Sequence, residues 1–179
     1  MAATRTGRKK VAAAPGRVRN SSSPAPGTTA VAALKGVLVA VDFAPASEKA
    51  FRFAVSLLQN QREVQLYLIH AVGAHVLPGS EMSPDSLLLN MQIQDEHVKE
   101  AKSAMRQKVA FAKAHKIPKV KGLVVVSDPV HAIIDTAKQM KADLILLGNR
   151  RRGYRRGIIF GSVSERVAAD SPTSVLIVR

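Results

Sequence analysis

Cysteine and tryptophan are both missing from the 179 residues. Without cysteine there is no disulfide frame, no zinc–thiolate centre and no thiol nucleophile, a composition that fits a reducing compartment. Aromatic residues make up 4% of the chain, and Tyr154 is the one aromatic interleaved with basic clusters. That argues against gripping single-stranded nucleic acid by base stacking. No uninterrupted apolar run approaches the ~20 residues of a membrane-spanning helix, so no membrane span is expected. His70, His75, His97, His115 and His131 show no paired ligand spacing, and no metal site of the protein's own is expected. His131 and Asp135, one helical turn apart, read as a surface pair. The G-x-S-x-G nucleophile elbow and the P-loop ending in G-K-[ST] are absent as well. The chain therefore does not read as an enzyme, and any ATP turnover should be slow or partner-dependent.

Acidic residues are also missing where the positive charge is densest. The formal net charge is +14, and residues 1–35 hold Arg5, Arg8, Lys9, Lys10, Arg17, Arg19 and Lys35 with no Asp or Glu. Residues 1–33 are built mostly from Ala, Ser, Pro, Gly, Thr, Arg and Lys, which cannot form a core, so they read as a basic, low-complexity arm ahead of a domain at 34–179. A second basic knot is Arg150, Arg151, Arg152, Arg155 and Arg156. Such charge speaks for polyanionic partners: an acidic protein surface such as a microtubule wall, RNA, or anionic lipid. An acid-free leader of this length also matches an organelle transit peptide. The first reading places the protein in the cytoplasm, on cytoskeletal or ciliary structures; the second places it in a plastid or mitochondrion.

What is present beyond the arm is a repeated alternation of strand and helix. The composition is 46% hydrophobic with a mean hydropathy of +0.03, enough to bury a sizeable core. Gly36 to Val41 is a β-branched apolar run of the kind a strand buried on both faces shows, and it ends in Asp42. A helix follows from Ser47 to about Leu58, with Ala50, Phe51, Ala54, Val55 and Leu58 on one face, then a strand at 64–71. Ser83-Pro84-Asp85 starts a long helix whose inner side is expected at Leu88, Met91, Ile93, Val98, Ala101, Met105, Val109 and Ala112, ending at Lys116. A strand at 120–127 leads to a helix opened by Pro129 and capped by Asp128 or Ser127. The last three elements are expected at 143–148 (strand), 162–169 (helix) and 174–178 (strand). Five strands alternating with four helices imply an α/β fold, a five-stranded parallel sheet with helices on both faces. In such a sheet ligands sit beyond the carboxyl ends of the strands, where the strand order reverses.

The most informative stretch runs from Ile145 to Glu165. An apolar strand ends at Gly148, a loop of glycines and arginines follows, and Gly161-Ser162 begins a helix. Unpaired amides and a positive dipole end make a helix start a natural anion cradle. Ser162 and Glu165 also fit the S-x-x-E pattern of a capping box, so Ser162 is read either as a ligand-binding residue or as a cap. Asp42 is read either as an acceptor for a ribose or base, or as a turn residue.

Together these features resemble the universal stress protein family over about Gly36 to Arg179. The family signature is glycine, two residues, glycine, nine residues, glycine, then serine or threonine. Gly148 and Gly161-Ser162 keep the outer spacing, and the phrases ending in Asp42 and Gly148, with Gly161-Ser-Val-Ser-Glu-Arg-Val and Val175-Leu-Ile-Val178, match as well. The resemblance implies a flavodoxin-like or Rossmann-like sandwich, usually a dimer through the last strand (here 174–178), in a family divided into ATP binders and non-binders. Carried over by position, adenine and ribose contacts fall at Ala40, Asp42 and Ala71. Phosphate contacts fall at Leu147, Gly148, Gly161, Ser162, Val163 and Ser164. The second signature glycine is Arg151, which either pairs with phosphate as a cation or marks a degenerate pocket.

Two functions follow as expectations. One is a stress-type module that binds ATP or a related adenine nucleotide, with or without Mg²⁺, and whose basic arm docks on an acidic partner. The other is a structural subunit of a microtubule, ciliary or ribonucleoprotein assembly, in which the pocket is empty and residues 1–33 and Arg150–Arg156 lie on the partner.

Overall fold

In a computed structural model the described residues are 34–73, 83–150 and 161–179; the arm and Arg151 to Phe160 lie outside them. The elements are β1 (Gly36–Ala40), α1 (Pro45–Leu58), β2 (Gln65–Val72), α2 (Pro84–Ala114), β3 (Val120–Val126), α3 (Pro129–Gln139), β4 (Leu144–Gly148), α4 (Ser162–Asp170) and β5 (Ser174–Val178). Every strand pairs in parallel, in the order β3-β2-β1-β4-β5. The order reverses between β1 and β4, which places the switch point where the sequence expects a ligand.

Strand alternation sorts the apolar residues into two layers. Val37, Val39, Leu66, Leu68 and Leu146 face α1 and α2, where Phe51, Leu58 and Met105 cover them. Leu38, Ile69, Ile145 and Leu147 face α3 and α4, under Ile133, Ile134 and Val167. Burying each such side chain contributes about 1.5–3 kcal/mol. Asp143 fixes the register at the opposite rim: its carboxylate accepts the amides of Lys35 (2.6 Å) and Gly36 (2.9 Å), tying the start of β1 to the start of β4. Those amides, helped by the nearby Lys35 charge, hold its carboxyl below the ordinary value.

Helix starts bear out one expected boundary and settle one open choice. Ser83 caps α2, accepting the Ser86 amide at 3.2 Å. Asp128 rather than Ser127 caps α3, accepting the Val130 and His131 amides at 3.0 and 3.2 Å. Its carboxylate also meets His131 Nδ1 at 3.2 Å, so His131 leans back to Asp128 rather than forward to Asp135.

Two expectations fail. The inner side of α2 was expected to begin at Leu88, yet Leu88 is 59% exposed, Met91 57% and Ile93 36%, and full burial starts only at Ala101. The reason is length. At 1.5 Å per residue the 31 residues of α2 span about 46 Å, while strands of seven or eight residues such as β2 and β3 offer about 25 Å. The first half of the helix overhangs the sheet. The capping box at Ser162 is also absent: Gly161 is the N-cap, Ser162 is the first helical residue, and no side chain among the described residues caps the end.

Candidate functional site

The site is built from three chain segments that leave the carboxyl rim of the sheet. After Ala40, the last residue of β1, the chain turns through Asp42, whose Oδ1 accepts the Ala44 amide at 3.0 Å. Ser47, buried at the start of α1, locks this turn from inside: its Oγ accepts the Asp42 amide at 3.2 Å and donates to the Ala44 carbonyl at 3.0 Å. Phe43 takes a left-handed conformation (φ 58°), unusual for a bulky residue, and its ring lies 4.6 Å from that of His70. His70 Nδ1 is 2.7 Å from the Val41 carbonyl, which can only accept, so Nδ1 is the donor in this contact.

The second segment leaves β4 at Gly148. A Cβ there would lie 2.6 Å from the Ser47 amide nitrogen and nearer still to the Ala46 carbonyl. Glycine is therefore what lets β4 run under the first turn of α1. The following Asn149 amide donates to Val178 on β5 at 2.9 Å, and Arg150 turns back across the rim. Its Nη1 reaches Asp42 Oδ2 at 3.2 Å.

The third segment arrives at Gly161, which packs so closely on the Arg150 carbonyl that a side chain would collide with it. Glu165 N–H donates to the Gly161 carbonyl at 2.9 Å, and the buried Ser164 donates its hydroxyl to the same oxygen at 2.9 Å. The two ends of the arginine loop thus meet, with Asp42 held against one of them by Arg150.

Electrostatically, Asp42 is a carboxylate kept ionised. Partial burial pushes its pKa up, but the Ser47 hydroxyl, the Ala44 amide and the Arg150 guanidinium outweigh burial and leave it below the ordinary value. A cleft of about 650 Å³ opens beside these segments, lined by Ala44, Pro45, Ala46, Asn149, Arg150 and Arg179; of Asp42, Gly148, Arg150 and Gly161, Arg150 alone is in its lining. Small-molecule sites span about 300–1,000 Å³.

Of the residues expected at the site, Ala40, Asp42, Gly148 and Gly161 belong to these rim segments, with exposed Ser162 directly after Gly161. Leu147 is buried and packs among the α3 and α4 side chains, with its backbone in register with Ile177 of β5. Ala71 is half-buried beside Val125 of β3, one strand removed from the cleft. Val163 packs on the α3 and α4 layer, and the Ser164 hydroxyl is engaged by Gly161. Arg151 lies outside the described residues. Arg150, Asn149, Arg179 and the Ala44–Ala46 turn line the cleft but were not expected there. Arg150 carries no signal of its own in the sequence, where it is one of five arginines in seven residues. Among the described residues there is no group of His, Asp or Glu able to hold a metal ion, and no helix long and apolar enough to cross a membrane.

A parallel sheet in the order 3-2-1-4-5, with an aspartate after the first strand and a glycine loop after the fourth, defines a class of α/β modules with a ligand cleft at the switch point. The family model "Universal stress protein family" matches residues 34–179, and the chain belongs to that family. Stress response protein NhaX of Bacillus subtilis is 29% identical over 156 residues, covering 81% of this chain and 89% of that one. Among solved structures, universal stress protein UspA from Lactobacillus plantarum is 28% identical with a TM-score of 0.70, covering 83% of this chain and 99% of that chain. A universal stress protein in complex with cAMP is 26% identical with a TM-score of 0.60, covering 83% and 98% respectively.

Proposed function

We propose that this chain is a non-enzymatic nucleotide-responsive module, which binds ATP or a related adenine nucleotide at the rim formed by Asp42, Gly148, Arg150 and Gly161. One observation carries the reading: Arg150 joins Asp42 at 3.2 Å while its own carbonyl packs on Gly161. This supports a site in which Asp42 accepts from a ribose, Arg150 pairs with phosphate and the start of α4 faces the anion. The related protein that binds cAMP supports adenine as the base. By the family resemblance Ala40 and Ala71 would stand on the base side, and Leu147, Gly148 and Gly161 to Ser164 on the phosphate side, where the first turn of α4 begins. Arg151 supplies a second cation where the family signature has glycine. Mg²⁺ would enter with the phosphates, since the described residues offer no cluster for it.

The basic arm of residues 1–33, together with Arg150–Arg156, docks the module on an acidic macromolecular surface in the cytoplasm. β5 is an edge strand without charge or proline, with Leu176 37% exposed, which favours pairing with a second copy along 174–178.

Isothermal titration calorimetry of the full chain with ATP and Mg²⁺ tests the pocket. Binding that weakens at least tenfold in Asp42→Ala supports it. No heat at millimolar nucleotide, with an unshifted melting curve, removes it and leaves the scaffold reading with a degenerate pocket. Co-sedimentation with microtubules or RNA at rising salt tests the arm; binding unchanged by deleting residues 1–33 would refute that part alone.

A further inference from the structure

The overhanging half of α2 and a groove on its other half form a self-complementary face, and we propose that two copies of this chain pair antiparallel along α2. The two-fold axis passes between Val98 and Lys99. At 100° per residue, Leu88, Met91, Asp95, Lys102, Arg106 and Val109 share one stripe of the helix, and their positions are symmetric about that axis. Reversal of a second α2 therefore sets Leu88 against Val109, Met91 against Arg106 and Asp95 against Lys102, twice each. An isologous contact requires this mutual correspondence.

The chemistry of each layer agrees with the pairing. Leu88 and Met91 are 59% and 57% exposed, with nothing among the described residues covering them. They need an apolar receptor, and one lies on the same stripe. Lys102 and Arg106 rim a groove of about 280 Å³ whose floor is Met105, Val109, Gly122 and Val124. Gly122 is what makes the floor: a Cβ there would stand 2.5 Å from Met105 Cγ and force the methionine up off β3. The leucine knob of one copy seats on this floor, and the methionine lies along the aliphatic stem of Arg106.

Charge selects the direction. Residues 84–96 carry Asp85, Asp95 and Glu96 and no Lys or Arg, whereas 99–113 carry Lys99, Lys102, Arg106, Lys108 and Lys113 against Glu100 alone. Antiparallel helices place the acidic half on the basic half, while parallel ones would oppose like charges. The contact uses none of the residues that line the rim cleft and none of β5, so it does not rest on the nucleotide reading.

Sedimentation equilibrium of the full chain decides the matter by charge exchange. Asp95→Lys alone, Lys102→Asp alone and Leu88→Glu alone should each weaken self-association at least tenfold, halving the mass of the species seen near the wild-type midpoint. Asp95→Lys with Lys102→Asp in one chain restores the ion pairs in reverse, and association should return to within about threefold of wild type. All three positions are exposed, so folding is expected to persist, and circular dichroism melting checks it. Because the chain lacks cysteine, Val98→Cys gives a second reading: oxidation should trap a disulfide-linked dimer across the axis. A wild-type mass indifferent to Leu88→Glu, or a double reversal that fails to restore association, overturns the proposal. So does a wild-type chain that stays monomeric at 100-micromolar order of concentration.

Discussion

Replacing Gly148 by alanine tests the rim more severely than any side-chain deletion would. The added methyl would stand 2.6 Å from the Ser47 amide nitrogen, with the Ala46 carbonyl nearer still. Comfortable separation is about 3.5 Å, so β4 and the first turn of α1 must part by roughly 1 Å. Neither side can do so cheaply. The obstructing atoms are backbone, Ser47 is hydrogen-bonded into the Asp42 turn, and Gly148 is paired with Val178 in the sheet. Overpacking of this kind costs about 1–3 kcal/mol and occasionally more; the top of that range is expected here. For a domain of this size each kcal/mol lowers the midpoint by about 2–4 °C, so thermal melting should fall by about 6–12 °C. Two glycines act as controls. Gly73→Ala has nothing within 4 Å and should change stability by less than about 0.5 kcal/mol, while Gly122→Ala meets the flexible end of Met105 and should fall between the two. Denaturant melts of the three variants give the order directly. A Gly148→Ala protein within about 0.5 kcal/mol of wild type would show that β4 does not pass beneath α1 as described, and the cleft would lose its wall.

Asp143→Asn should destabilise the domain by less than about 1 kcal/mol at neutral pH, the small size reflecting solvent screening of an exposed carboxylate. Its folded pKa lies below the unfolded value, so the contribution is complete above about pH 4 and is lost as pH falls through the folded pKa; wild type and variant should converge there in acid denaturation. Lys108 bridges α2 to Glu48 on α1 and lies 4.8 Å from the Phe51 ring centroid, so Lys108→Ala should cost about 1–2 kcal/mol and Lys108→Met less, because methionine keeps the packing of the stem. Equal losses in denaturant midpoints would show that the charge, not the stem, carries the contact. In calorimetry Arg150→Ala should reduce ATP affinity about tenfold, or 1.4 kcal/mol, and leave adenosine unaffected, whereas Asp42→Asn should weaken both ligands. An Arg150→Ala protein with undiminished ATP affinity would refute the assignment of that arginine to phosphate.

The sheet was legible because its strands are buried on both faces and therefore read as unbroken apolar runs. Gly36–Ala40 and Leu144–Gly148 need no partner to announce themselves. Strand order was not legible, since adjacency of β1 and β4 depends on contacts such as Asp143 with Lys35 and Gly36, which are 108 and 107 residues apart. The long helix exposed the limit of periodicity. A stripe of Leu88, Met91 and Val109 looks the same whether the surface it faces is this chain's own sheet or another molecule, and only the finite length of β2 and β3 separates the two. Ser162 illustrates a related ambiguity: S-x-x-E fits a capping box starting at Ser162, but the tight packing of Gly161 on Arg150 fixes the cap one residue earlier. Arg150 escaped notice because five arginines in seven residues look interchangeable until one of them is seen to reach Asp42.

The Asp42–Arg150 pair could be taken as a lock across the rim, but its exposure argues that it is a placeholder. The two side chains are 42% and 55% exposed, and an ion pair so placed is worth about 0–1 kcal/mol. A carboxylate offers about four acceptor positions, of which the Ala44 amide and Arg150 take two, so a ribose hydroxyl can join without evicting either. Phosphates, by contrast, compete for the guanidinium itself and hold it in a bidentate grip that Asp42 at 3.2 Å through a single nitrogen does not match. A nucleotide therefore replaces a weak contact with a stronger one on the cation while adding a new contact on the anion, and neither group is left buried without a partner. The backbone of Arg150 stays fixed on Gly161 throughout, so only its side chain has to swing. Binding is thereby tied to the charge of the ligand: the advantage of ATP over adenosine should shrink as salt screens the guanidinium, while the ribose contact to Asp42, a hydrogen bond rather than an ion pair, should hold.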